Sequence, residues 1–224
     1  MTTGFGPHEL LECYRRGVFP MAESQDDPDL YLIDPDTRGV LPLKTFHIPT
    51  RLKKTVRHAS FTVRIDTAFS QVMEACAEPG PGRENTWINP AILNLYSSLH
   101  RDGHAHSVEC WNGEQLVGGL YGVSIGGAFF GESMFSRAND SSKIALVHLV
   151  ARLLEGGYAL LDAQFHNQHL EQFGLVEISR DAFRAKLADA LDVEADFYSC
   201  DVSGVSAGGV TTGDWAVQRI TQMS

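Results

Sequence analysis

Apolar and polar positions follow two different periods along this chain, and the changes of period mark out its elements. Glu9–Gly17 (ELLECYRRG) predicts a short helix, ended by Gly17 and then by Pro20. Asp26–Pro49 is rich in Pro and Asp and carries only short apolar runs, Leu30–Ile33 and Gly39–Leu43, so it reads as turns and short strands. Arg51–His58 predicts a short basic helix with Thr50 as its candidate cap. Phe61–Ile65 alternates as a strand, and Ala68–Ala77 returns to helical spacing through Phe69, Val72, Met73 and Cys76. Glu78–Glu84 (EPGPGRE) is a loop. Asn89–Pro90 then starts a helix with Ile92, Leu95, Tyr96 and Leu99 on one face, stopped at Gly103.

From His106 the period becomes two. Ser107–Trp111, Gln115–Val123 and Gly127–Gly131 predict three strands, and Asn112–Gly113 and Gly126–Gly127 between them are hairpin signals for an antiparallel meander. Asp140, Ser141 and Ser142 offer caps to a long helix with the stripe Ile144, Leu146, Leu149, Val150, Leu153 and Leu154, ended by Gly156–Gly157. Tyr158–Gln164 reads as a buried strand, and Asn167–Phe173 and Arg180–Ala190 as helices. Ser199–Gly213 reads as a loose Ser/Gly-rich arm, with Trp215, Val217 and Ile220 tacking it down. This order predicts an α+β fold with a mixed, mostly antiparallel sheet and helices on its faces. The expected divisions are an N-terminal α+β region at 1–60, an acyltransferase-like catalytic domain at 61–198 and a C-terminal arm at 199–224. The same order occurs in GCN5-related N-acyltransferases, where a central strand splays from its neighbour and leaves a V-shaped cleft; this is analogy at the level of fold.

Composition narrows the classes. With 224 residues, 43% hydrophobic and 21% charged, the chain is long enough for a sizeable core and is not a disordered protein. Nothing approaches the run of about 18 apolar residues that a membrane helix needs. Met1–Gly6 has neither a basic nor an apolar export region, so a cytoplasmic protein is expected. The four scattered cysteines, without CxxC, predict reduced thiols. The net charge is −10, yet Arg38–Arg64 holds Arg38, Lys44, Arg51, Lys53, Lys54, Arg57 and Arg64 with no Asp or Glu. Such a segment either docks a polyanion locally or is a solvated face, while the acidic remainder disfavours coating nucleic acid in general.

Four clusters offer chemistry: Tyr14–Pro20 (YRRGVFP), Thr86–Ile88 (TWI), Gly131–Ser136 (GESMFS) and Asp162–Asn167 (DAQFHN). Asp162 and Gln164, two apart on a strand, share a face, and the carboxylate can orient the amide; a polar strand end meeting solvent is the bland alternative. Glu132 among Phe129, Phe130, Met134 and Phe135 needs a partner, either internal or on a cationic ligand. His100, His104 and His106 lack a nearby thiolate or carboxylate set, so no metal is expected. Neither GxSxG nor a nucleotide-phosphate loop occurs. The loop before the long helix, Phe135–Ser142 (FSRANDSS), has no glycine to cradle a pyrophosphate, which implies an acyl donor other than coenzyme A.

YRRGVFP, DPDTRGVLPL (Asp34–Leu43), TWI, LHRDGHAHSVECW (Leu99–Trp111), LVGGLYGV (Leu116–Val123), FFGESMFS (Phe129–Ser136) and LDAQ (Leu161–Gln164) come in the order found in leucyl/phenylalanyl-tRNA–protein transferases, and from Glu9 to Phe183 the chain resembles that family. The resemblance implies transfer of Leu or Phe from aminoacyl-tRNA to a protein's N-terminal Arg or Lys, which marks the acceptor for N-end-rule degradation. The chemistry is attack of an α-amino group on an activated ester, with no cofactor and no metal. By motif, Asp162 and Gln164 would assist the amine nucleophile, and Glu132 would lie beside the acceptor's N-terminus or the reacting centre. An apolar pocket for the side chain would draw on Leu120, Phe129, Leu146, Leu149 and Leu161. Trp87, Tyr96, Met134, Ser136 and Asn167 would line the cleft around the 3′ adenosine. The basic window, with Arg51, Lys53, Lys54 and Arg57, would meet tRNA phosphates. The sequence departs from the family at Met21, where Trp is common, and at Leu32 and Ile33, where paired Trp residues are common. Two rivals stay open: another N-acyltransferase of the same fold with a different donor, which binding to coenzyme A would favour, and a non-catalytic tRNA- or degron-binding module, which would bind without turnover.

Overall fold

Seven strands form the central sheet in the order β4-β5-β6-β7-β8-β3-β9 among the described residues, which are 5–79, 85–199 and 212–223 of this computed structural model. The strands are β3 (Thr37–Val40), β4 (Thr62–Ile65), β5 (Ala105–Asn112), β6 (Gln115–Ile125), β7 (Ala128–Ser136), β8 (Leu160–Gln164) and β9 (Val176–Ser179). Each pairing is antiparallel except β7 with β8, which α5 (Ser141–Glu155) connects in parallel. The expected α+β class with a mixed, mostly antiparallel sheet is therefore present. A separate two-stranded ribbon pairs β1 (Phe19–Met21) with β2 (Tyr31–Ile33). β3, from the stretch read as turns and short strands before residue 60, lies within the main sheet between β8 and β9.

The sheet separates two cores. One packs α2 (Thr50–His58), α5 and α8 (Gly213–Met223) on Val108, Leu120, Phe129 and Leu161. The other packs α1 (Pro7–Arg15), α3 (Phe69–Ala77), α4 (Pro90–Arg101) and α7 (Arg180–Leu191) on Tyr121, Phe130 and Phe135. The expected stripe of α5 is buried in full, and Val147, Ala151 and Arg152 are buried as well, because the helix is covered on its far side by α2 and α8. Asn89 caps α4 as its sequence announces, accepting from Ile92 N–H at 2.8 Å.

Several local expectations change. Thr50 is the first residue of α2 and Pro49 occupies the cap position, so no hydroxyl caps this helix. Asp140 precedes α5 in the left-handed region (φ 60°) and binds Lys143, while the Ser141 hydroxyl binds the carbonyls of Val117 and Ala138. The Asn167–Phe173 helix shortens to α6 (Gln168–Glu171). The third meander strand does not stop at Gly131 but runs through GESMFS to Ser136. β9 and α8 had not been foreseen as regular elements. Most of the Ser/Gly-rich arm, 200–211, and loop residues 80–84 lie outside the described residues. Val217 and Ile220 are buried in the first core and Trp215 packs against that core.

The glycines of β6 mark close approaches. A Cβ at Gly118 would lie 2.4 Å from Ser141 Cβ, and one at Gly122 would lie 2.3 Å from the Phe130 carbonyl oxygen and 2.4 Å from the Phe129 ring. Neither backbone nor ring at Gly122 can swing aside. Gly122→Ala is expected to cost about 1–3 kcal/mol through overpacking, read as a lower urea midpoint; an unchanged midpoint would show that β6 and β7 have room to relax.

Candidate active site

The cleft arises where two neighbouring strands part. β7 and β8 are paired from Ala128–Leu160 to Phe130–Asp162. Beyond that point β7 stays with β6 and β8 stays with β3. The gap opens into a cavity of about 300 Å³ walled by Leu41, Leu120, Met134, Leu146, Leu149, Leu161 and Leu170, with Glu132, Asp162 and Gln164 at its polar end. A second recess of about 180 Å³, lined by Phe19, Met21, Trp87, Phe165 and His166, adjoins it. Trp87, Glu132, Ala163, Gln164 and Asn167 line both.

Two bulges set the polar end. Gly122 pairs with Gly131 but Tyr121 pairs with Ser133, which leaves Glu132 as the extra residue of β7. Gly39 pairs with Gln164 but Val40 with Asp162, which leaves Ala163 extra in β8. A bulge bends the strand and re-aims a side chain. Gln164 takes up a left-handed conformation there (φ 59°), which for a residue with a side chain costs about 1 kcal/mol or more unless its surroundings fix it.

They do fix it, through a buried ion pair. Arg38 and Asp162 are 1% and 0% exposed. Arg38 donates from Nε to Asp162 Oδ1 at 2.9 Å and from Nη2 to Oδ2 at 2.6 Å, the bidentate geometry that makes such pairs strong. Its Nη1 donates to the Gly17 carbonyl at 2.8 Å, and its guanidinium lies 4.6 Å and 4.4 Å from the ring centres of Phe19 and Phe183. Asp162 Oδ1 also accepts from the Gln164 backbone N–H at 2.9 Å. With its backbone held so, Gln164 donates from Nε2 to Glu132 Oε1 at 2.8 Å.

Glu132 reaches into the cavity from a cluster of phenols. Tyr14 Oη lies 2.7 Å from its Oε1, Tyr96 Oη lies 3.0 Å from its Oε2, and the two hydroxyls bond to each other. Burial pushes the Glu132 carboxyl up to about 7, against the opposing pull of the two tyrosines. The same burial pushes both phenols up, and Glu132 adds to this. Tyr121, from the next strand, lines the cavity with a buried hydroxyl that has no hydrogen-bond partner among the described residues.

The structure gathers most of the residues expected at a site. Trp87, Leu120, Glu132, Met134, Leu146, Leu149, Leu161, Asp162, Gln164 and Asn167 line one continuous cleft. Three do not. Tyr96 is fully buried behind Glu132, because its face of α4 points into the core. Phe129 belongs to the core and stacks on Phe197: it shares the side of the sheet of its ladder partner Leu161 but lies before the point where β7 and β8 part. Ser136 ends β7 outside the cavity, bonded to Ala138 O and the Ser141 hydroxyl. Asp162 accepts from Arg38 Nε and the Gln164 backbone at Oδ1 and from Arg38 Nη2 at Oδ2.

Arg38 is removed from the basic surface by the same pair. On α2, Leu52 and Val56 face the core while Arg51, Lys54 and Arg57 are exposed and Lys53 is half-buried; Arg57 lies 3.5 Å from Asp214. Of the positions where aromatic residues are common, Met21 lines the recess, Ile33 pairs with Phe19 across the ribbon, and Leu32 is exposed. His106 is committed to Asp66 at 2.8 Å, and His100 Nδ1 to the Ala105 carbonyl. Sequence reasoning missed Tyr14, Arg38 and Tyr121 as parts of the site. YRRGVFP and DPDTRGVLPL already singled out the segments of the first two.

Comparison with known proteins gives the family. The family model described as leucyl/phenylalanyl-tRNA protein transferase matches residues 40–188, and that of its N-terminal domain matches residues 5–36. Curated relatives named leucyl/phenylalanyl-tRNA–protein transferase include one from Hyphomonas neptunium, 59% identical over the whole of both chains. Others come from Phenylobacterium zucineum, 58% identical over 98% of this chain and 99% of its own, and from Caulobacter vibrioides, 58% identical over the whole of both chains.

Breaking the buried pair leaves a charge with no counterpart, which costs about 3–5 kcal/mol, whereas removing both charges together costs far less. Arg38→Met is therefore expected to lower stability strongly, and Arg38→Met with Asp162→Leu to recover much of the loss in denaturant melts. Additive losses would mean that the two side chains act independently.

Proposed function

This chain belongs to the leucyl/phenylalanyl-tRNA–protein transferase family and is an aminoacyltransferase, and from that premise we propose that it moves Leu or Phe from aminoacyl-tRNA to the N-terminal Arg or Lys of an acceptor protein in the cytoplasm, marking it for N-end-rule degradation. The observation that carries the reading is the junction of an apolar cavity and an aromatic recess at Glu132 and Gln164. The cavity suits an aliphatic or aromatic side chain. Its walls are leucines and a methionine, and apolar pockets of this kind discriminate weakly between side chains that differ by a few carbons, which agrees with a donor that carries either Leu or Phe. The recess, with Met21, Trp87 and Phe165, suits the terminal adenosine by stacking. The ester joining the two then lies at the junction.

The reaction is attack of an amine on that ester. An ester of this kind is already activated, so the protein's task is orientation and electrostatics. With Nε2 of Gln164 committed to Glu132, its amide oxygen is the acceptor left for the amine's N–H. Asp162 acts as a positioning residue, holding Gln164 in its left-handed conformation, and Arg38 holds Asp162. The exposed side of α2 supplies phosphate contacts through Arg51, Lys54 and Arg57, with Lys53 at its edge. No described helix is long and apolar enough to cross a membrane.

Radiolabelled Leu-tRNA offered with two peptides that differ only in an N-terminal Arg or Ala tests donor, acceptor and reaction together: label is expected on the Arg peptide alone. Gln164→Ala is expected to slow single-turnover transfer by about 100-fold, and equal transfer to both peptides would defeat the acceptor assignment. Replacing Arg51, Lys54 and Arg57 together with Ala is expected to weaken aminoacyl-tRNA binding and flatten its dependence on salt; an unchanged salt slope would remove α2 from the docking face.

A further inference from the structure

The three oxygen–oxygen contacts at Glu132 do not balance unless a proton is added. Tyr14 Oη contacts Tyr96 Oη, Tyr14 Oη contacts Glu132 Oε1 at 2.7 Å, and Tyr96 Oη contacts Oε2 at 3.0 Å. Each of the three contacts needs a hydrogen between its oxygens, and two phenols bring two. With an ionised carboxylate, one edge of the triangle is a pair of facing lone pairs. With a protonated carboxyl group the count closes: Oε2–H donates to Tyr96, Tyr96 donates to Tyr14, and Tyr14 donates to Oε1. The other lone pair of Oε1 takes the Gln164 Nε2–H at 2.8 Å.

The surroundings favour the neutral form. Tyr14 on α1, Tyr96 on α4 and Tyr121 on β6 are titratable groups that stay protonated, because burial pushes each of them up. Asp162 on β8 is an anion and disfavours a second one. Arg38 on β3 is the cation on this side of the cleft and pulls the other way, but its guanidinium hydrogen-bonds to Asp162 and Gly17 rather than to Glu132. The carboxyl is accordingly pushed up to about 7.

Resting on the functional reading above, we propose that Glu132 is the general acid of the transfer, its proton closing the hydrogen-bonded ring with Tyr14 and Tyr96 in the resting state and passing to the departing 3′ oxygen in the step. Glu132 lines both the cavity and the recess, which puts it where the ester bond crosses between them. In the step, the acceptor's neutral amine forms a C–N bond with the ester carbonyl carbon. The C–O bond to the ribose breaks, and its electron pair leaves with the 3′ oxygen, which takes the Glu132 proton. The nitrogen, positively charged after attack, returns a proton to the Glu132 carboxylate. The products are an amide and a free 3′ hydroxyl, and the ring is restored. Tyr14 and Tyr96 are positioning residues in this scheme.

The test has two parts. Infrared spectra of the resting protein at pH 6, wild type minus Glu132→Gln, are expected to show a protonated carboxyl band; a carboxylate band in its place would overturn the proposal. Single-turnover transfer from Leu-tRNA to an Arg peptide is then followed against pH. The acid must be protonated, so the rate constant for free amine is expected to fall as pH rises through about 7. Glu132→Gln is expected to lack this limb and to be about 100-fold slower below it. Tyr96→Phe removes a donor to the ionised form, so its limb is expected at higher pH. A merely structural Tyr96 would lower the rate at every pH and leave the limb in place, and that result would overturn the ring. No transfer by the wild type would defeat the functional reading instead, while the infrared band still decides where the proton sits.

Discussion

The ion pair between Arg38 and Asp162 is the constraint on which the cleft depends. It joins parts of the chain that are 124 residues apart, and it draws in the turn after α1 through Gly17 and the helix α7 through Phe183. Removing two charges from water is expensive, and their mutual attraction rarely recovers more than the outlay. The pair is therefore poorly explained as a source of stability. What it supplies is a fixed carboxylate that needs no further proton or counter-ion, and that carboxylate fixes the backbone of Gln164 at a strained position. Strain at a site persists only where the surroundings over-determine it. Here a five-point grip on Arg38 does so: three hydrogen bonds and two aromatic faces.

A second device follows from the first. The pair commits the guanidinium's hydrogen bonds to Asp162, so one cleft holds two carboxyl groups in different surroundings. Asp162 is matched by a guanidinium; Glu132 is matched by neutral donors. Environments that separate two titratable groups in this manner are how a fold assigns different roles to identical chemistry. The parting of β7 and β8 places both at the same opening, one from each strand.

Much of this was legible in the sequence, and the gaps have physical reasons. The helices and strands from Asn89 to Gln164 follow from periodicity and from Asn-Gly and Gly-Gly turns, and ten of the expected site residues meet in one cleft. Arg38 was misplaced because a run of basic residues without acids reads as surface, and no local feature shows that one of them is neutralised by an aspartate far along the chain. Tyr96 and Phe129 were placed in the cleft by the family resemblance, which carries over a residue's position in a motif but not what its side chain faces. β9, four residues with one half-buried position and three exposed, has no alternation to detect. The Glu132 bulge is invisible in sequence, because alternation cannot tell an extra residue from a change of face.

That bulge reverses the phase of β7. Phe129 packs in one core and Phe130 in the other; six positions after Phe129, where strict alternation would return to the first core, Phe135 packs in the second. One strand thus serves two compartments because one residue goes uncounted between them. The constraint falls on number as well as on identity. Across Gly131–Ser133, gaining or losing a single residue would turn the following side chains to the opposite face.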